Sequence, residues 1–197
     1  MSSQPDAGGD ELSPPPITED RVLQLDDERF HPDNVAIVTG AASGIGRATA
    51  IALAINGLTV VGLDVDEAGL DDTVERVKSL DADGRAVAAA ADLTDDAETE
   101  AAVEAAAEEG QIRYLANIVG MQHIASIPEF PMETYDTMTD VMVRAPFLLS
   151  KLVTPHVRAT DDGVGAIGNM SSVHGRYATR DKATYITAKH ADRKSVV

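Results

Sequence analysis

The chain has 197 residues, 44% of them hydrophobic, which is enough for one domain with its own core. It carries 33 Asp and Glu against 16 Lys and Arg, a formal net charge of −17. A phosphate backbone or an anionic membrane would repel such a surface, so nucleic acid and membranes are not expected as partners. With no cysteine, the chain has no disulfide, thiolate nucleophile or cysteine-based metal site.

Acidic residues crowd short runs such as 71–72 and 95–96. This is typical of proteins adapted to high salt, where counterions screen the self-repulsion, and an ordinary acidic cytosolic protein is the alternative. No metal site is predicted, because no two of the five histidines form a ligand pair on one helical face.

Residues 1–33 are predicted to be a disordered tail followed by an acidic bridge. The first 16 residues are rich in Ser, Pro, Gly and Asp and have neither the basic nor the apolar region of a secretory signal. The longest apolar stretches of the chain are too short to span a bilayer. We therefore expect a soluble, cytoplasmic protein with one folded domain over 34–197.

From residue 34 onward, short apolar runs alternate with helix-length segments, the pattern of βαβ units on a parallel sheet. Strands are predicted at 34–39, 58–64, 85–91, 111–117 and 164–171. Helices are predicted at 44–56, 67–80, 95–109, 132 to about 155, and from 182 onward. Asp95 is expected to cap the third helix with Glu98 as its capping partner, and Pro146 allows a kink in the long helix.

The turn between the first strand and the first helix contains three glycines, Gly40, Gly44 and Gly46. Side chains at these positions would keep a pyrophosphate away from the backbone amides and from the helix N-terminus. Ser43 and Ile45 lie between the glycines and are predicted to contact the same ligand. The preceding strand and the following helix indicate a dinucleotide site rather than a plain turn.

Polar residues follow the next strands at the same edge of the predicted sheet. Asp64 ends the second strand, where a carboxylate accepts both adenosine ribose hydroxyls and repels a 2′-phosphate, which favours NAD over NADP. Asp92 and Leu93 follow the third strand, where Asp92 would reach the adenine amine. Asn117 and Gly120 end the fourth strand and allow close approach of the cofactor. The alternatives are structural: a helix cap at Asp64, a loop or cap carboxylate at Asp92, and a plain turn after Asn117.

A reactive pair is predicted on the last helix. Tyr185 and Lys189 lie four residues apart on one helical face, so the ammonium can stabilise the phenolate. Ser172, thirteen residues before Tyr185, offers a hydroxyl to hold a substrate oxygen. The three residues together predict a centre that passes a proton to or from an alcohol or carbonyl oxygen.

These motifs resemble those of the short-chain dehydrogenase/reductase family over 34–189. The resemblance implies an α/β fold, a three-layer, Rossmann-type doubly wound parallel sheet, and hydride transfer between a nicotinamide and an alcohol or carbonyl. It implies that Tyr185 is the acid/base, that Lys189 binds the nicotinamide ribose and tunes Tyr185, and that Ser172 orients the substrate. A homo-oligomer formed through the long helix and the Tyr185 helix is expected on the same ground.

Within this family, the finer resemblance is to the D-3-hydroxybutyrate dehydrogenases, through residues 120–123, 172–175 and 182–185. It implies that Gln122, His174 and Lys182 hold a substrate carboxylate, and an amide, an imidazole and an ammonium would neutralise a small anion. The alternatives are that His174 only packs beside Ser172 and that Lys182 is a solvated residue. Another hydroxy acid, a 3-oxoacyl thioester or a polyol is the alternative substrate.

The sequence departs from the family pattern in two places. Met142 stands where many members have an asparagine that supports a proton relay, and a thioether cannot replace an amide. The family also continues beyond the Tyr185 helix with two further strands and a substrate lid. The sequence therefore predicts a sheet that is incomplete on its C-terminal side, with the fifth strand as an exposed edge, and a truncated or frameshifted gene product. The alternative function is an inactive remnant that only binds nucleotide or associates with relatives.

Overall fold

The computed structural model of the protein describes residues 17–80 and 82–192. The predicted tail at 1–16 and the end of the chain from 193 lie outside these residues. The acidic bridge is part of the packed structure, because Ile17, Val22 and Phe30 pack against the core and the ring of Phe30 lies 5.5 Å from that of Tyr114.

Five parallel strands form one sheet in the order β3-β2-β1-β4-β5, which confirms the predicted doubly wound α/β fold. The strand order reverses between β1 and β4, so the chain leaves a crevice at the carboxyl ends of these two strands, where α/β proteins bind their ligands. The strands are β1 Asn34–Thr39, β2 Thr59–Asp64, β3 Arg85–Ala90, β4 Gln111–Asn117 and β5 Ala166–Asn169.

Helices cover both faces of the sheet. Side chains of β1 alternate between the two faces, with Val35 and Ile37 in one core and Ala36 and Val38 in the other. Because both faces of β1 are buried, its central residues 35–38 form a continuous apolar run between Asn34 and Thr39. The helices are α1 Gly44–Ile55, α2 Glu67–Lys78, α3 Asp96–Glu108, α4 Met132–Thr139, α5 Ala145–Ala159 and α6 Ala183–Asp192.

The two helical layers have different origins in the chain. Residues of α1 and α2 contribute to the core on the side of Ala36, and residues of α3 and α5 contribute to the core on the side of Val35. None of the helices in the described part of the chain is long and apolar enough to cross a membrane.

The fifth strand and the capping pair of α3 differ from the prediction. The fifth strand covers Ala166–Asn169 rather than 164–171, because the N–H of Val164 donates to Asp162 and its carbonyl accepts from Arg113. The capping pair is half right: Asp95 caps α3, but the carboxylate of Glu98 accepts from the N–H of Asp92.

The long helix is three consecutive segments rather than one. A π-helical segment, Asp140–Arg144, separates α4 from α5 and ends two residues before Pro146. Proline has no N–H for the carbonyl four residues earlier, so the α-helical hydrogen-bond series is interrupted at this point. The kink that Pro146 allows therefore takes the form of a widened turn.

Arg113 of β4 ties the entry of the edge strand to the rest of the sheet. Its side chain is only 6% exposed and forms an ion pair with Asp162. It also donates to the side-chain oxygen of Asn34 at 2.8 Å and to the carbonyl of Val164 at 2.9 Å. Since β5 pairs only with β4 in the described sheet, this network fixes the loop through which the chain enters β5.

We predict that Arg113→Met lowers the free energy of unfolding by about 3 kcal/mol, because it leaves the buried side-chain oxygen of Asn34 and the carboxylate of Asp162 without their donor. The control is Arg144→Met, which breaks the ion pair with Asp96, where both side chains are about half exposed. Exposed pairs contribute little, so this variant should unfold almost as the parent does. Urea denaturation followed by circular dichroism measures the free energy of unfolding of both variants. Equal losses would contradict the stabilising role of the Arg113 network.

Candidate active site

The glycine turn brings α1 against the end of β1. A Cβ on Gly46 would lie 2.0 Å from the carbonyl oxygen of Gly40, so only glycine permits this contact. Gly44 has a φ of +52°, and a Cβ added there would meet nothing within 4 Å. Ser43 is the N-cap of α1, and its side chain accepts no capping hydrogen bond in the described structure. The open space above Gly44 and the first N–H groups of α1 thus suit an anionic group.

Asp64 lies beside this turn at the end of β2. Its carboxylate accepts from the N–H of Ala42 at 3.2 Å and from the N–H of Asp66 at 3.1 Å. Asp66 caps α2 by accepting from the N–H of Gly69. The alternative that Asp64 caps the helix is therefore wrong.

Asp92 and Leu93 lie with Asp64 in a cleft of about 600 Å³ at the carboxyl edge of the sheet. Asp92 accepts from the N–H and the hydroxyl of Thr94, and these bonds hold its pKa below the usual value. Asp92 is thus a turn-forming carboxylate that also lines the cleft. The cleft is lined by Leu63, Asp64, Val65, Ala91, Asp92, Leu93, Thr94, Val119, Gly120, Met121, Asp136, Thr137, Asp140 and Val141.

A second cleft, of about 390 Å³, shares Gly120 and Met121 with the first. The two clefts therefore meet at the end of β4. The second cleft brings the predicted reactive residues beside the glycine turn, and it is lined by Ile45, Ile118, Gly120, Met121, Gln122, Met170, Ser171, Ser172, Tyr185 and Lys189.

Lys189 is held firmly in this second cleft. The residue is only 4% exposed, and its Nζ donates to the carbonyl of Met170 at 2.6 Å. Met170 follows β5 directly, and its N–H donates to the carbonyl of Asn117. The backbone after the edge strand thus positions the ammonium of Lys189. Sequence reasoning missed this contact because every residue has a backbone carbonyl, so no residue type indicates it.

Ser172 and His174 form a connected pair next to Tyr185. The Oγ of Ser172 accepts from the backbone N–H of His174 at 3.2 Å and lies 3.3 Å from its Nδ1. The Nε2 of His174 lies 3.0 Å from the Oγ1 of Thr179. The imidazole also stands edge-on to Tyr185, with ring centroids 5.6 Å apart. Both ring nitrogens of His174 therefore have protein partners.

The structure brings only one of the three predicted carboxylate-binding residues into the second cleft. Gln122 lines it, whereas His174 and Lys182 are not among its described lining residues. His174 instead packs beside Ser172, which was the structural alternative. Lys182 is partly exposed at the start of α6, where its carbonyl accepts from the N–H of Ile186.

Asn117 has a structural contact at the base of the site. It is 4% exposed, and its Nδ2 donates to the side-chain oxygen of Asn169 at 2.8 Å, which links β4 to β5. Thr39, which sequence reasoning missed, accepts at its Oγ1 from the N–H groups of Ile118 and Val119. Its position at the strand end, directly before the glycine turn, was the available signal. These bonds fix the course of the chain toward Gly120.

Met142 is buried in an apolar cluster behind the site. It is 1% exposed and packs with Met138 and Ala188, and Tyr185 lies against the same cluster. The position at which the family resemblance predicts an asparagine is therefore enclosed by apolar side chains here.

The parallel sheet, the glycine turn and the grouped Ser172, Tyr185 and Lys189 find a match in one known protein family. The family model of the short chain dehydrogenases matches residues 34–194, and the chain belongs to this family. A D-beta-hydroxybutyrate dehydrogenase of Cupriavidus necator is 33% identical over 79% of this chain and 59% of its own length. A levodione reductase of Leifsonia aquatica is 32% identical over 80% of this chain and 59% of its own length.

Solved structures show the same fold. A metagenomic short-chain oxidoreductase in complex with NADP superposes with a TM-score of 0.76 at 29% identity, over 83% of this chain and 73% of that one. The chain spans about 60% of the length of the curated relatives it matches.

We predict that Gly44→Ala raises the Kd for NADH at least about tenfold, because the methyl group enters the open space above α1, while the left-handed backbone costs about 1 kcal/mol of stability. The control is Gly163→Ala, at a residue with a φ of +65° and open surroundings in the turn before β5. It should lose similar stability and keep its affinity. Fluorescence titration with NADH measures both variants, and unchanged binding in Gly44→Ala would contradict the assignment.

Proposed function

We propose that this chain is the nucleotide-binding and catalytic part of an NAD-dependent oxidoreductase that interconverts a secondary alcohol and a ketone, with 3-hydroxybutyrate as the first candidate substrate. The proposal rests mainly on the second cleft. Ser172, Tyr185 and Lys189 line this cleft together with Gly120 and with Ile45 of the glycine turn. The fold and the family membership support the reaction class, and the particular reaction is the proposal.

The bound nicotinamide would accept the hydride from the alcohol carbon. Tyr185 would take the hydroxyl proton during oxidation and return it during reduction, as a general base and acid. Ser172 would hold the reacting oxygen by a hydrogen bond. Lys189, already fixed on the carbonyl of Met170, would stabilise the phenolate and bind the nicotinamide ribose.

The preference for NAD rests on the acids of the first cleft. Asp64 stands at the end of β2, and Asp92, Asp136 and Asp140 line the same cleft. A 2′-phosphate placed there would meet carboxylates and no described basic lining residue, whereas ribose hydroxyls would find acceptors. The proposal also includes a cytoplasmic location and assembly into a homo-oligomer, and both rest on the family resemblance alone.

We expect Asp64→Ser to lower the ratio of kcat/KM for NAD over NADP at least about tenfold, since the repelling carboxylate is removed. Asp66→Ser is the matched control, because it changes a neighbouring carboxylate and serine retains the ability to cap α2. Initial rates with the two cofactors give the ratio. The same ratio in both variants would remove Asp64 as the determinant.

The candidate substrate is a small hydroxy acid. Gln122 lines the second cleft and would donate its amide to a carboxylate, whereas Lys182 lies directly before α6 and outside the described lining of this cleft. The relative from Cupriavidus necator is named for hydroxybutyrate. Because the levodione reductase is similarly identical to this chain, a neutral ketone is tested beside the hydroxy acid.

A second candidate function is nucleotide binding without turnover. Met142 favours it, because the apolar cluster around this side chain has a thioether where the family resemblance predicts the amide of the proton relay. The same chain would then bind NAD through the glycine turn and leave 3-hydroxybutyrate unchanged.

The deciding assay follows NADH formation from D-3-hydroxybutyrate and NAD, in dilute buffer and in molar KCl, with the parent chain and Tyr185→Phe. We expect turnover in the parent and a loss of about 10² to 10⁴ in kcat in the variant, because the general base is removed. Tyr177→Phe, which removes the hydroxyl of an exposed tyrosine outside the described cleft lining, is the control. Folded parent protein that binds NADH but turns over neither this acid nor a neutral ketone would favour the second candidate.

A further inference from the structure

His174 contacts both Ser172 and Tyr185 and lies outside the described lining of the second cleft. We propose that it is a positioning residue: its neutral ring carries the hydrogen on Nδ1, donates it to Ser172, and thereby leaves the hydroxyl of Ser172 free to donate to the substrate oxygen. The role in turnover rests on the proposed function.

The hydrogen bonds around the Oγ of Ser172 limit what its hydroxyl can offer a substrate. A hydroxyl has one hydrogen to donate and two lone pairs to accept with. One lone pair accepts from the backbone N–H of His174 at 3.2 Å. Among the described residues, its other hydrogen-bonding contact is the Nδ1 of His174 at 3.3 Å.

The tautomer of His174 decides what Ser172 offers the substrate. With the hydrogen on Nδ1, both lone pairs of the Oγ are used and its single hydrogen is left for a carbonyl or alkoxide oxygen. With the hydrogen on Nε2, Ser172 must donate to Nδ1, and it then presents a lone pair to an oxygen that also accepts. Only the first arrangement stabilises negative charge on the reacting oxygen.

Thr179 is the partner of the other ring nitrogen, and its hydroxyl can hold the proposed tautomer. Its Oγ1 lies 3.0 Å from Nε2, and a threonine hydroxyl can donate to an unprotonated ring nitrogen. The edge-on contact with Tyr185 holds the plane of the ring, with an interplanar angle of 77°. In the proposed order, the hydroxyl of Thr179 donates to Nε2 and the Nδ1–H donates to the Oγ of Ser172. With both nitrogens engaged, His174 has no ring N–H for a substrate carboxylate.

The direct test is nitrogen-15 NMR of the histidine rings in the intact chain, where protonated and bare ring nitrogens fall in separate ranges. The signals of His174 are identified by their loss in His174→Asn. We expect a protonated Nδ1 and a bare Nε2 in the parent chain. Thr179→Val should shift the ring toward the other tautomer, whereas Thr179→Ser should keep the tautomer of the parent. The inference is overturned if the hydrogen lies on Nε2 in the parent chain, or if Thr179→Val leaves the tautomer of His174 unchanged.

The kcat values of two amide variants, His174→Asn and His174→Gln, test the inference independently. Asparagine places its amide where Nδ1 stands, whereas glutamine reaches toward Nε2. We expect His174→Asn to keep kcat within about threefold and His174→Gln to lose about tenfold, the value of one hydrogen bond, with the KM for NAD unchanged in both. Equal losses in the two variants overturn the positioning role.

Substrate charge separates positioning from carboxylate binding. Positioning predicts the same loss in His174→Gln for acetoacetate and for its uncharged ethyl ester. A loss confined to acetoacetate overturns the inference in favour of anion binding. If the parent chain reduces neither compound while its Nδ1 is protonated, the proposed function fails and the hydrogen-bond order stands, so the two failures are distinguishable.

Discussion

The contact between Gly46 and the carbonyl of Gly40 is the constraint on which the site depends. A Cβ at this point of α1 would lie 2.0 Å from that oxygen, so the helix can begin this close to the end of β1 only with glycine there. The N-terminus of α1 consequently lies at the strand-order reversal between β1 and β4. The N–H groups of the helix, Asp64 and the end of β4 then surround one crevice.

The second structural requirement is the placement of β5. It pairs only with β4 in the described sheet, and yet the chain directly after it carries the carbonyl that holds Lys189 and the hydroxyl of Ser172. The Arg113 network at the entry and the Asn117–Asn169 bond near the exit fix this edge strand at both ends. Stability at the sheet edge is therefore coupled to the geometry of the reactive residues.

Much of the fold follows from hydrophobic periodicity. The strand β1 was predictable because it is buried on both faces and reads as an unbroken apolar run. The ends of β5 were not, because Val164 bonds to Asp162 and Arg113 rather than to the sheet, and no local pattern encodes that choice. The π-helical segment before Pro146 was predictable only as an interruption of the helix.

The candidate site divides in the same way. Side chains in spaced motifs, such as Tyr185 and Lys189, were predictable because helical spacing alone places them on one face. The carbonyl of Met170 and the hydroxyl of Thr179 were not, since they reach the site through tertiary contacts. Asp136 of α4 and Asp140 of the π-helical segment were missed for a related reason: they line the first cleft only through tertiary packing.

The proposed function requires one dinucleotide to occupy both clefts, and a crystal structure of the chain grown with NAD tests this most directly. We expect the pyrophosphate above Gly44, the adenosine ribose on the carboxylate of Asp64, and the nicotinamide ribose beside Lys189 and Tyr185. A dinucleotide bound elsewhere, or clefts that stay empty in crystals soaked at saturating NAD, would contradict the account.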